Sequence, residues 1–397
     1  MQNCIITAST SCDGGAIFCE FADPTIANCV ISGNSADDYG GAIHCYASSP
    51  TITNCTITNN AAYGGGGGVY CTQESNPTIG NCTITGNTAD DGGGVYCRGS
   101  SPTITNCTVT GNTATFDGGG IFCWESSPTI TNCTICDNVA DAGGGACCYD
   151  CTLTITNCTI AGNTASKFGG GIFCWESSPT ITNCTISGNT AHFDGGGVCC
   201  GQGSPTITNC ILWGDTPQEI YVISSQPVVS YGDVQGGWEG TGNIDEDPLF
   251  VDPDGPDDDP NTWEDNDYHL SPASPCIDAG CNVAVPPDTA DLDSDDDTTE
   301  QTPLDLDGEG RFFDDPDTPN YGCCGEGVVV DMGAYEYGGT GPQPCPGDLD
   351  GDQDVDHSDL GMLLSDWGCD YGDLDCSGHT DQADLGILLA HWGDVCP

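Results

Sequence analysis

Basic residues are almost missing: the 397 residues include three, Arg98, Lys167 and Arg311, against 60 Asp plus Glu, for a formal net charge of −57. Such a surface repels phosphates and anionic lipids, because nucleic-acid binding rests on Lys and Arg releasing counterions. Nucleic acid, acidic glycans and anionic membranes are poor candidate partners on that ground, and no nucleic-acid binding is expected. Long apolar runs are also missing, and nothing approaches the ~20 residues that span a bilayer, so no membrane insertion is expected. No charged-then-apolar leader opens the chain; Met1 stands in mid-repeat, and the sequence reads as a fragment whose upstream coils and export signal lie elsewhere. Cys-x-x-Cys pairs do not recur at zinc-finger distances, which argues against a zinc array despite 30 cysteines.

What is present is a repeat. Asn-Cys pairs place Cys4, Cys29, Cys55, Cys82, Cys107, Cys133, Cys158, Cys184 and Cys210 at intervals of 25 to 27 residues, and Cys19, Cys45, Cys71, Cys97, Cys123, Cys148, Cys174 and Cys200 keep the same period. Short alternating segments at fixed spacing signal a solenoid whose coils bury one another's apolar faces. In one unit Ile52, Cys55 and Ile57 face inward and Thr51, Thr53, Thr56 and Thr58 outward, provided Asn54 makes a bend; Val69 and Cys71 point in from a third strand. Three strands per ~26 residues predict an all-β, right-handed parallel β-helix of nine coils stacked ~4.8 Å apart.

Stacking turns equivalent residues into ladders. Asn28, Asn54, Asn81, Asn106, Asn132, Asn157, Asn183 and Asn209 form one expected amide ladder, and Asn87, Asn112, Asn138, Asn163 and Asn189 another. The cysteine ladders read as core filling, with the thiol or disulfide state left open. The middle of the third strand gives an outward row with Phe18, His44, Tyr70, Tyr96, Phe122 and Phe173, and two positions on stand Glu20, Tyr46, Arg98, Trp124, Tyr149 and Trp175. Tyr70, Tyr96, Phe122, Trp124, Phe173 and Trp175 are the candidate platform for a neutral glycan; a self-stacked ring ladder shielding the sheet is the simpler reading. The Thr-x-Thr rows, such as Thr129 with Thr131, suggest ice binding only as an outsider.

The phrases "GGAI" at 14–17 and 40–43 and "SGN" or "TGN" at 32–34 and 85–87 resemble repeats of bacterial parallel β-helix surface proteins. Further on, "DEDPLFVDP", "YHLSPASPCIDAG" and "DMGAYEY" resemble, in that order, the module termed choice-of-anchor Q. That resemblance implies an extracellular, surface-associated protein with no known catalysis. Lyases of the β-helix fold abstract protons with basic residues that this chain lacks, and hydrolases need clustered carboxylates with supporting groups. The paired Asp37 with Asp38 and Asp90 with Asp91 read as solvated turns, so the balance leans away from an enzyme.

The domain reading is a β-helix over 1–240, an acidic cap over 241–340 and a small α-helical calcium-loop domain over 341–397. Of the acidic residues, 19 lie up to residue 240 and 41 after it, which makes divalent cations the natural counter-partner there. "DLDGDQDVDHSD" sets Asp348, Asp350, Asp352, Asp356 and Asp359 at calcium-loop positions 1, 3, 5, 9 and 12, with the Asp354 carbonyl at 7. A copy 25 residues on supplies Asp373, Asp375, Ser377, Asp381 and Asp384 with the His379 carbonyl. Each loop precedes an apolar helical stretch, and the tandem resembles a type I dockerin domain. The resemblance implies two Ca²⁺ ions and a cohesin-like protein or cell-surface component as partner through 345–397. Gln353 departs from the Gly expected at position 6. The alternation of Asp291, Asp293, Asp295 and Asp297 makes this stretch a third candidate calcium loop, with Thr302 at its twelfth position.

Overall fold

The computed structural model describes residues 1–338 apart from 254, 256–265, 294–297, 316–317 and 323–327. The two calcium loops and their helices lie outside the described residues. Two compact units are present: one holds 1–207 and 212–228, with the described residues of 253–266, and the other holds 208–211, 229–252 and the described residues from 267 on.

The first unit is a parallel β-solenoid. One coil runs through Thr51–Thr53, Thr56–Thr58, Ala61–Ala62 and Val69–Thr72. This makes four strands where the sequence suggested three, because Ala61–Ala62 is too short for its alternation to register. β-Branched Thr and Ile suit the half-buried pleat, and Asn54 bends the chain at φ 52, in the left-handed region that Asn tolerates better than most residues. Coils pair in register, Val69 with Val95, Tyr70 with Tyr96 and Cys71 with Cys97, so each residue type stacks on itself. Ile52, Ile57, Val69 and Cys71 are fully buried and Cys55 nearly so, as the alternation predicts. Glycine is obligatory at the turn into the fourth strand: Gly66 has φ 64, and a Cβ on Gly67 would sit 2.5 Å from the Gly93 carbonyl oxygen.

One of the two expected asparagine series forms a continuous buried amide ladder. Asn34, Asn60, Asn87, Asn112, Asn138, Asn163 and Asn189 are buried. Each side-chain amide donates to the next side-chain oxygen, as from Asn87 to Asn112 at 3.0 Å and from Asn112 to Asn138 at 3.0 Å. The same Nδ2 donates to a main-chain carbonyl one coil back in the stack, as from Asn112 to Ile84 at 2.9 Å. The second expected ladder instead supplies left-handed bends, φ 50 to 53 from Asn28 to Asn209, and Asn28, Asn54, Asn81 and Asn106 are exposed. Asn132, Asn157, Asn183 and Asn209 of the same series are buried, so exposure at the bend is confined to the earlier coils.

None of the 24 described cysteines is in a disulfide. Thiols in the Asn-Cys series bridge coils, the Cys55 N–H donating to Cys82 Sγ at 3.4 Å and Cys82 Sγ to the Gly80 carbonyl at 3.2 Å. The neighbouring Cys107 thiol, and then burial, push Cys82 up to about 12, so Cys82 fills the core as a neutral thiol.

The second unit pairs Phe250–Asp252 antiparallel with Asp267–Leu270 and carries a 3₁₀ turn at Asn282–Ala284. Its core includes Cys276, Ile277, Val329, Val330, Met332 and Ala334, none more than 1% exposed. Among the described residues no helix is long and apolar enough to cross a membrane.

Candidate functional site

The fourth strand's middle row was expected to face solvent, and most of it does not. Phe18 is 46% exposed, but Tyr70, Tyr96, Phe122 and Phe173 are at 3%, 6%, 2% and 6%. The rings cover one another, Tyr70 to Tyr96 at 5.1 Å and Tyr96 to Phe122 at 4.7 Å between centroids. They are also covered from the side: Tyr39 stacks on Tyr70 at 4.6 Å and 15°, and Phe168 lies 6.3 Å from Phe173. The Gly turn folds the preceding strand back toward the row, and Gly65 makes room there for the Tyr96 ring, whose Cδ1 would be 2.3 Å from an added Cβ. Four of the six platform residues are therefore packed as a self-stacked ring ladder.

The remaining two are partly open. Trp124 is 43% exposed, and the Arg98 guanidinium carbon lies 5.8 Å from its ring centroid. Register sets Tyr149 between Trp124 and Trp175. Trp175 is half-buried and leans over Gly201, where an added Cβ would meet its ring at 2.3 Å. The threonine grid is also less open than its alternation implied: Thr131, Thr156 and Thr182 are buried at 6%, 3% and 4%.

Where the row meets the first coils, it opens into a cleft of about 290 Å³. Phe18, Tyr39, Tyr46 and Tyr70 supply rings, while Asp13, Glu20 and Thr72 supply oxygens around His44. His44 is 4% exposed, with its ring 4.9 Å from both Phe18 and Tyr70. Its Nδ1 is 3.5 Å from Asp13 Oδ1, long for a hydrogen bond, and neither ring nitrogen has a hydrogen-bond partner. Burial lowers the His44 pKa and the Asp13 carboxylate only partly offsets it, so the imidazole is neutral. No Lys or Arg lines the cleft. Rings with acceptor oxygens and no cation suit the C–H faces and hydroxyls of a neutral sugar.

Sequence reasoning placed Phe18, His44, Tyr70, Glu20 and Tyr46 on their rows but not in one site, and it missed Asp13 and Tyr39. Tyr39 occupies a position that holds Gly65, Asp91 and Asp117 in the following coils, and that break in the repeat was the available signal. Of the third calcium-loop candidate, Asp291 bends the chain at φ 53 and Asp293 is exposed. Asp295 and Asp297 lie outside the described residues, as do Asp348, Asp350, Asp352, Asp354, Asp356, Asp359, Asp373, Asp375, Ser377, His379, Asp381 and Asp384.

The sequence matches a family described as right handed beta helix region over 1–128 and again over 119–234. No curated protein matches it. Among solved structures it is similar to pectate lyase Pel9A, with a TM-score of 0.41 and 16% identity over 83% of this chain and 82% of that one. A likeness at that level has no bearing on activity.

Proposed function

The chain belongs to the right-handed β-helix family, and on that premise we propose that it is an extracellular, non-enzymatic surface protein whose β-helix binds a neutral glycan at the His44 cleft. The observation that carries this reading is the lining itself, four rings and two carboxylates around a neutral imidazole with no basic residue. A net charge of −57 turns away acidic polysaccharides and leaves neutral ones. The tandem loops at 348–359 and 373–384 supply the attachment in this reading, a Ca²⁺-dependent, dockerin-like tail that binds a cohesin-like protein or another cell-surface component.

Affinity electrophoresis of the full chain against a panel of neutral polysaccharides tests the glycan reading. Retardation by at least one polysaccharide is expected, weakened about tenfold in Tyr46→Ala, the equivalent of ~1.4 kcal/mol for one stacked ring. Absence of retardation across the panel refutes it. Release of reducing ends that disappears in Asp13→Asn would instead favour glycan processing, with His44 and Asp13 near enough to handle a proton.

A further inference from the structure

We propose that Asp288, Asp293 and Glu300, in the second unit, form a binding site for a calcium ion. The two ends of the acidic segment are held side by side. Pro287 bridges antiparallel to Gln301, the Asp288 N–H donates to the Glu300 carbonyl at 2.8 Å, and the Thr302 N–H donates to the Pro286 carbonyl at 2.9 Å. Asp288 then starts a turn: the Asp291 N–H donates to its carbonyl at 3.2 Å and the Leu292 N–H to its Oδ2 at 2.6 Å. This commits Oδ2 and leaves Oδ1 buried without a hydrogen-bond partner, on a residue only 1% exposed.

The Asp288 carboxyl does not stand alone. One carboxylate oxygen from each of Asp288, Asp293 and Glu300 lies within 4.8 Å of the other two. Ca²⁺ holds oxygens at ~2.3–2.6 Å, so ligands across one ion lie up to ~5 Å apart. Burying a carboxylate oxygen beside two like charges is strongly unfavourable without a cation. The three basic side chains are engaged elsewhere: Arg98 lies against the Trp124 ring, Lys167 pairs with Asp141, and Arg311 is turned to the Gly333 and Ala334 carbonyls and to Glu336.

An all-oxygen donor set without His or Cys selects a hard ion over zinc. Burial grades from Asp288 through half-buried Glu300 to exposed Asp293, leaving one side open for the waters that complete a calcium shell. The ligand spacing is not that of a twelve-residue loop starting at Asp291, because the antiparallel bridge recruits Asp288 and Glu300 from its two sides.

Isothermal titration calorimetry of the full chain with CaCl₂, compared with the Asp293→Asn/Glu300→Gln double variant, tests the site. Both substitutions lie off the apolar core, and unchanged far-UV circular dichroism verifies the fold. The variant should bind one Ca²⁺ fewer per chain, or bind that ion at least about tenfold more weakly, whatever the loops at 348–359 and 373–384 contribute. Equal stoichiometry and equal affinity in the two proteins overturn the proposal.

Discussion

The two units handle buried polar groups by opposite means. In the β-helix, the buried ladder from Asn34 to Asn189 is satisfied largely by copies of itself: Asn112 accepts from the Asn87 amide and donates to Asn138. The second unit has no copies, and its buried ionisable groups are held by specific partners where they are held at all. Arg311, fully buried, donates to the Gly333 and Ala334 carbonyls at 3.1 and 2.8 Å and lies 3.7 Å from Glu336. Glu336 in turn accepts from the Asp331 N–H, and Asp331 from the Asp278 N–H. Repetition makes neutral amides sufficient, whereas an irregular core that buries polar groups relies on specific charges.

Where repetition stops, the β-helix meets the second unit's problem. The amide ladder ends at Asp215, whose Oδ1 accepts from Asn189 Nδ2 at 2.9 Å and whose N–H donates to Glu219 Oε1 at 3.1 Å. Burial raises Asp215 to about 6; burial and then the Asp215 charge raise Glu219 to about 10. The last rung is an acid pair that keeps a proton at neutral pH.

Removing the central charge should separate the units most sharply. Arg311→Met strands Glu336 and should cost the second unit about 3–5 kcal/mol, read as an earlier unfolding transition in urea while the β-helix transition stays put. A shift of both transitions would break the contrast. Next in size, Asn112→Ala removes one rung and leaves the Asn87 amide without its acceptor, for about 2–3 kcal/mol; here the β-helix transition should move alone. An unchanged midpoint would show that the ladder adds nothing.

A smaller effect concerns the acid pair. Glu219 keeps a proton in the folded state that the unfolded chain loses above its ordinary value of 4.5. Its contribution to stability is fully present below that value and is lost as pH rises toward about 10. The slope is at most about 1.4 kcal/mol per pH unit for one proton. Glu219→Gln should flatten the fall in β-helix melting temperature between pH 5 and 9, and an equally steep fall in the variant would remove the pair from the account. Smallest of all, Trp124→Ala, exposed and touched by Arg98, should cost no more than about 0.5–1 kcal/mol, measured by the same melts; a larger loss would place Trp124 in the packed ladder.

How much was legible in advance depends on whether a contact repeats. Ile52, Cys55, Ile57, Val69 and Cys71 were readable as interior, because a parallel coil stacks residue i on its equivalent one period on and every period votes the same way. The amide ladder through Asn112 was readable for that reason too. The cover over Tyr70 was not, since it comes from Tyr39, which departs from its repeat position and reaches across a glycine turn.

The sequence by itself determined the period, the register and the inner face of the β-helix, all consequences of strand alternation and self-stacking. It also determined, through three basic residues against 60 acidic ones, the sign and size of the chain's charge. Only the tertiary structure decided which outward rings are shielded and which oxygens meet. Tyr39 on Tyr70, His44 beside Asp13, and Asp288 with Glu300 are brought together by packing between segments that are not one period apart in the same position. That packing depends on where turns fold back, and no periodicity encodes it.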